Sequence, residues 1–280
     1  MTVTISVINM KGGVGKTTIM ALLCQSLARS YKVLAIDLDP QANLSQALMG
    51  EQGYKWFLDD QSPSVVELFK GYQPPHTAAS PTSLNADGMA RRIPHSRKGE
   101  LSVIPSRFDF SDNLIAASKT DEQALARYIA NSLNDIDIIF IDCAPTESVL
   151  TRAAYHASRY VLVPVRPEYF ATIGFPLLNE SLQDFRRNNR GHKIDVLGVV
   201  INNAFYDGGN DGGPEKGRAM ADIRQEASEH GWKIFDNEIP FSRGFPKIMR
   251  GDLTWPGNAE KFDNFSQELR KSLLAEGHLT

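Results

Sequence analysis

The sequence predicts an α/β fold, a doubly wound and mostly parallel sheet flanked by helices. Two observations carry this. Apolar, β-branched runs alternate with longer stretches of helical periodicity, the pattern of a parallel sheet wrapped by crossover helices. A glycine-rich turn separates the first apolar run from the first helical stretch, a junction at which α/β proteins bind anions.

The apolar runs place strands at Val3–Asn9, Val33–Asp37, Leu101–Ile104, Ile136–Asp142, Tyr160–Val165 and Val196–Asn202, with a weaker one at Trp232–Phe235. Thr17–Ser30, with Ala21, Leu22, Leu27 and Ala28, reads as a crossover helix. Phe262, Phe265, Leu269 and Leu273 recur at helical spacing and predict a last helix docked on the sheet. Two segments break the rhythm. Gly71–Glu100 holds Pro74, Pro75, Pro81 and Pro94 with little apolar periodicity, and reads as a long, partly irregular excursion rather than a domain of its own. Asp207–Gly217 is rich in glycine and reads as a mobile surface loop. The expectation is one domain over residues 1–280, with an irregular insertion at about 71–100.

Composition narrows the class. The 280 residues are 42% hydrophobic and 22% charged, ordinary values for a chain with a sizeable core. A formal net charge of −3 argues against coating nucleic acid by overall charge, although a local basic face remains compatible with it. Cys24 and Cys143 are the only cysteines and lack CxxC spacing, so no disulfide framework, zinc site or iron–sulfur site is expected. No stretch reaches the ~18–20 continuous apolar residues of a membrane span, and no basic leader opens the chain. A soluble, cytoplasmic protein is the expectation.

The turn itself reads Lys11-Gly12-Gly13-Val14-Gly15-Lys16-Thr17-Thr18. It departs from the P-loop spacing G-x-x-x-x-G-K-[ST], because Met10 stands where the first glycine belongs. The context is nevertheless right: a strand precedes it and a helix follows. Glycines let backbone N–H groups turn toward phosphate oxygens, and the helix start adds its positive dipole end. Lys16 is placed to reach the β- and γ-phosphates, Thr17 to bind Mg²⁺ and Thr18 to touch the α-phosphate side. A glycine-rich turn with incidental lysines is the plainer alternative; the whole octapeptide between strand and helix outweighs it. Two more strands end in carboxylates, Asp37-x-Asp39-Pro40-Gln41 and Asp142-Cys143-Ala144-Pro145. Ligands of open α/β sheets sit at the carboxyl ends of strands, so these acids point at the same site.

KGGVGKTT resembles the deviant Walker A motif of the ParA/MinD family of P-loop ATPases, with Lys11 matching the signature lysine. The resemblance covers nearly the whole chain and is weakest from Gly71 to Glu100. It implies a P-loop NTPase with ATP and Mg²⁺ as cofactors, working as an ATP-sandwich homodimer in which Lys11 contacts the partner subunit's nucleotide. It implies catalytic roles for Lys11, Lys16 and Asp39, the last positioning the attacking water. The cofactor-binding set is Lys11, Gly12, Gly13, Val14, Gly15, Lys16, Thr17, Thr18, Asn202 and Pro240. Metal roles fall to Thr17, Asp37 and, through a water, Asp142. Asn202 matches the position that reads adenine, with Asn203 as the alternative, and Pro240 begins the segment along the base.

Three functions fit that family. The first is a partition ATPase that binds non-specific DNA, associates with the nucleoid and works with a ParB-like centromere-binding or cargo adaptor protein. The second is a positioner of a protein assembly or of the division machinery. The third is a metabolic relative, a nitrogenase-like reductase or an amide-forming ligase. An iron–sulfur reductase needs paired cysteines in the dimer, and neither Cys24 nor Cys143 has a suitable setting. A membrane binder needs a basic amphipathic C-terminus, and Leu269–Thr280 has only Arg270 and Lys271 against Glu276. The resemblance assigns DNA contacts to Lys216, Arg218, Arg243, Lys247 and Arg250. Partition is therefore the expected function.

Overall fold

The computed structural model describes residues 2–69, 88–94, 98–108, 121–133, 135–168, 171–202, 213–239, 244–248, 250 and 260–279. The strands are β1 (Val3–Val7), β2 (Lys32–Asp37), β3 (Arg91–Ile93), β4 (Glu100–Ile104), β5 (Ile138–Asp142), β6 (Tyr160–Val165) and β7 (Asp195–Ile201). The helices are α1 (Lys16–Leu27), α2 (Asn43–Asp59), α3 (Val66–Phe69), α4 (Ala124–Ser132), α5 (Val149–Ala157), α6 (Gly174–Asn188), α7 (Gly213–Glu229), α8 (Phe245–Ile248) and α9 (Glu260–Ala275). Among these residues the sheet runs β3-β4-β2-β5-β1-β6-β7. Every pairing is parallel except β3 with β4.

Strand periodicity separates two cores. Ile8, Leu34, Ile36, Ile139, Ile141, Val161 and Val163 face a cluster completed by Leu125, Leu150, Phe175, Leu182 and Ile223 from α4 to α7. Their neighbours Val33, Ala35, Ile138, Phe140 and Leu162 face the other side, against α1, α2 and α9. Side chains of successive strand residues point to opposite faces, so apolar runs of this kind bury both. This is the doubly wound α/β fold expected.

Differences from the sequence reading lie at the margins. Of the partly irregular excursion at 71–100, residues 71–87 and 95–97 lie outside the described residues; in the rest, β3 pairs antiparallel with β4, Met89 and Ala90 are buried, and Ile93 turns inward while Arg92 stays exposed. A three-residue strand carrying arginines is a typical protected sheet edge. Of the expected glycine-rich loop Asp207–Gly217, residues 207–212 lie outside the described residues, and 213–217 are helical, because α7 begins at Gly213. Pro214 in its first turn needs no hydrogen-bond donor there, and Glu215 complements the helix dipole. Trp232–Phe235 is not a strand; Ile234 makes only an isolated parallel bridge to Val199. Among the described residues no helix is long and apolar enough to cross a membrane.

Phe262, Phe265, Leu269 and Leu273 are fully buried, docking α9 as its spacing predicts. Removing a buried phenylalanine loses both its transfer energy and the space it filled, about 3–5 kcal/mol. Phe265→Ala should therefore lower stability by that amount in urea unfolding; a loss under about 1 kcal/mol would mean that α9 contributes little to the core.

Candidate functional site

Parallel register sets the site. Asp37 and Asp142 end β2 and β5 and are direct neighbours, and Val7 at the end of β1 pairs with Asp142. The loop after β1 thus opens over two adjacent carboxylates. Within it Gly13 has φ 73° and Gly15 φ 90°, left-handed values that glycine adopts without cost. Gly15 is doubly constrained, since an added Cβ would stand 2.2 Å from Asn202 Nδ2. It precedes α1, whose start has no side-chain cap and no acidic residue in its first turn. Those N–H groups and the positive end of the helix dipole are left for an anion. Gly12 and Gly13 are exposed, whereas Val14 is buried and Thr18 is half-buried at the helix start.

Lys16 is buried, its Nζ donating to the carbonyls of Asn9 at 3.3 Å and Lys11 at 3.2 Å. Burial lowers its pKa, and the nearby Asp142 partly opposes that. The Thr17 hydroxyl donates to Asp142 Oδ2 at 2.7 Å, while Asp142 Oδ1 is buried with no hydrogen-bond partner. Burial, and the charge of Asp37 beside it, push the Asp142 carboxyl well above the usual range. Asp37 is likewise fully buried and is raised to about 7 by burial, against the lowering effect of two hydrogen bonds from Ser45. Asp39 turns back on its own loop, accepting from the Gln41 N–H at 2.9 Å, and remains 8% exposed.

The orphaned Asp142 oxygen, the Thr17 hydroxyl and the second buried carboxylate form an all-oxygen donor set beside the glycine loop. That chemistry fits Mg²⁺, which binds through few carboxylates, waters and phosphates.

Lys11 lies at the entrance. Its Nζ pairs with Glu168 Oε1 at 2.8 Å, and Arg166 holds the other oxygen of Glu168 at 3.1 Å. The Lys11 N–H donates to Asn9 Oδ1 at 2.8 Å, and Asn9 is anchored by its own bond to the Pro164 carbonyl. Asn202 donates to the Val14 carbonyl at 2.8 Å and is 2% exposed, so its amide braces the phosphate loop. The sequence reading missed Asn9, Ser45 and Glu168. Of these only Glu168, an acid soon after the end of β6, carries a signal in the sequence.

Pro240, Asn203 and Arg243 lie outside the described residues. Lys216 and Arg218 sit in the first turns of α7, Lys247 in α8, and Arg250 just beyond it. Arg218, Lys247 and Arg250 are exposed and Lys216 is half-buried. They stand apart from the carboxylate cluster in sequence and in element. A separate cavity of 740 Å³, lined by Met10, Pro145, Glu147, Glu180 and Asp184 among others, flanks the loop without including either buried aspartate.

A left-handed glycine loop on an uncapped helix, a buried lysine and a Thr–Asp pair at parallel strand ends define a P-loop nucleotide-binding protein. A family model described as an AAA domain matches residues 2–195. A chromosome-partitioning ATPase, Soj, of Treponema pallidum is 29% identical over 85% of this chain and 82% of its own. A protein of Methanocaldococcus jannaschii is 31% identical over 71% of this chain and 73% of its own. Among solved structures, apo McdA of Cyanothece superposes with a TM-score of 0.78 at 20% identity, covering 98% of this chain and 100% of that one. The chain belongs to the ParA/MinD family of AAA-domain, deviant Walker A ATPases.

The Asp37 carboxyl has a testable consequence. An unfolded aspartate titrates near 3.8, and this one near 7. Between those values the folded chain holds a proton that the unfolded chain has released. The stabilising effect is therefore present in full below about pH 4 and is lost as pH rises through about 7. Without Mg²⁺, the wild type should lose thermal stability relative to Asp37→Asn between about pH 5 and pH 8. A constant difference across that range would remove the raised titration of Asp37.

Proposed function

We propose that this chain is an Mg²⁺-dependent ATPase of the partition type, which dimerises around ATP, holds DNA without sequence preference and is released when a ParB-like partner stimulates hydrolysis. One observation supports the nucleotide site above all: an unpartnered, buried Asp142 oxygen next to the Thr17 hydroxyl, under a loop of left-handed glycines on an uncapped helix. Lys16 carries the charge that meets the β- and γ-phosphates. Thr17 and Asp142 hold the metal side, with Asp37 behind them, and Thr18 faces the α-phosphate. Bound Mg²⁺ supplies neutralisation of phosphate charge. Asp39 orients the attacking water. Lys11, in the dimer, adds positive charge to the partner subunit's nucleotide, in the manner of a trans-acting finger. Asn202 or Asn203, with the segment from Pro240, lies along adenine. Residues 1–280 act as one domain in this reading.

Similarity to a chromosome-partitioning ATPase along most of both chains supports partition over the metabolic alternative. The DNA surface comprises Lys216, Arg218, Arg243, Lys247 and Arg250, doubled by dimerisation.

Lys16→Ala should abolish ATP binding in calorimetry, because the phosphates lose their principal cation; wild-type affinity would remove the phosphate-loop assignment. Asp39→Ala should bind ATP and dimerise while turning over at least ~100-fold more slowly, since a misplaced water costs on that order. That trapped variant gives the DNA test. Anisotropy titrations with ATP, ADP and no nucleotide should show binding with ATP alone, weakened by salt and lost in Arg218→Glu/Lys247→Glu. Equal affinity in all three nucleotide states would instead favour a protein-assembly positioner.

A further inference from the structure

Ser45 lies in the first turn of α2, eight positions after Asp37. A serine near a helix start ordinarily caps its own helix, but α2 has no side-chain cap, and Ala42 before it is in a left-handed conformation with φ 53°. The Ser45 hydroxyl is used elsewhere. It donates to Asp37 Oδ2 at 2.7 Å, and the Ser45 N–H donates to the same oxygen at 2.8 Å. The Asp39 N–H reaches the other oxygen, Oδ1, at 3.1 Å. Three donors thus fix the Asp37 carboxylate in one orientation.

The Ser45 oxygen also accepts, from the Ser106 N–H at 2.9 Å. Ser106 follows β4, and its carbonyl accepts from the Tyr54 hydroxyl at 3.1 Å. Tyr54 belongs to the part of α2 beyond Gly50, where φ 71° and ψ 162° break the helix. Ser45 and Ser106 are both fully buried. The Ser45 hydroxyl therefore joins the end of β2 to Ser106 after β4, and Ser106 in turn, through its carbonyl, holds the second half of α2. Such a donor–acceptor chain in a dry setting holds its members more firmly than separate bonds do.

We propose that Ser45 is the positioning residue of the metal shell: it sets the orientation of Asp37 beside Asp142 and ties that orientation to the end of β4. This rests on the reading above in which Asp37 and Asp142 serve Mg²⁺. Residues that orient metal-binding groups typically change metal affinity 10–100-fold when removed.

The test uses the full chain and a fluorescent ATP analogue, titrated with Mg²⁺ and, separately, in EDTA. Ser45→Ala should raise the half-saturating Mg²⁺ concentration about tenfold, with unchanged analogue affinity in EDTA. Ser45→Thr, which restores the hydroxyl, should return the Mg²⁺ response. A merely structural serine would weaken binding equally with and without Mg²⁺, and that result overturns the proposal. Ser45→Cys, closer in volume and a weak donor, takes the place of Ser45→Ala should the alanine variant fail to fold; a wild-type Mg²⁺ response in it overturns the proposal as well. Ser106→Ala keeps the backbone donor and should match wild type. A wild-type chain indifferent to Mg²⁺ overturns the metal-site reading itself, whereas a responsive wild type with equally responsive Ser45 variants overturns only the role of Ser45.

Discussion

Two carboxylates buried side by side are the constraint from which the rest of this site follows. Parallel register makes Asp37 and Asp142 neighbours at the carboxyl ends of adjacent central strands, and both are sealed from solvent. Like charges in a dry setting oppose each other's ionisation, and burial adds to that, so both carboxyls are pushed upward. Lys16, buried nearby, is pulled the other way by the same lack of water. Burial thus disfavours the charged form of all three groups. Burying charge is costly unless it is paired, and a divalent cation beside a polyphosphate supplies that pairing from outside. A ligand that relieves such strain stabilises the fold it binds. The fold tolerates the arrangement because two apolar cores, one on each face of the sheet, hold the strand ends in place.

The parts legible in the sequence are those that rest on local pattern. The octapeptide from Lys11 to Thr18 combines left-handed glycines with a strand before and a helix after, and each element is a short-range signal. Asp37 and Asp142 stand out because an acid closes an otherwise apolar run. The α9 spacing gives the buried face of the last helix. What the pattern leaves out is set by tertiary contact. β3 exists because β4 offers an open edge to pair with, and three residues with two arginines show no strand period of their own. The start of α7 hides in glycines that suggest a loop, until Pro214 and Glu215 are weighed as first-turn residues. Ser45 reads as a helix-start serine, and only the fold brings its hydroxyl to a carboxylate on another element. Asn9 reads as the end of a strand, yet it lies beyond β1 and organises the backbone of Lys11.

The placement of Lys11 bears on how one chain serves two nucleotide sites. Its ion pair with Glu168 joins side chains that are 26% and 30% exposed. Pairs open to solvent contribute about 0–1 kcal/mol, since water screens the attraction and ordering two long side chains costs entropy. Arg166 shares the same carboxylate, so Glu168 keeps a cationic partner when Lys11 leaves. The firm hold on Lys11 is instead at its backbone, where Asn9 accepts its N–H and is itself anchored to the end of β6. Gly174 packs against the same Asn9 oxygen so closely that an added Cβ would lie 2.5 Å from it. The main chain of Lys11 is fixed by β6 and the start of α6, while its ammonium pairs with the half-exposed Glu168. In the proposed dimer that division lets the charge swing to the partner subunit's phosphates without disturbing the loop that holds its own. In that proposal the energy of closing the dimer would come from a phosphate in a dry interface, where a cation gains far more than it does from an exposed glutamate. In the proposed dimer, ATP with its γ-phosphate would offer Lys11 that stronger acceptor and ADP would not, so nucleotide state would be sensed through a difference in acceptor charge.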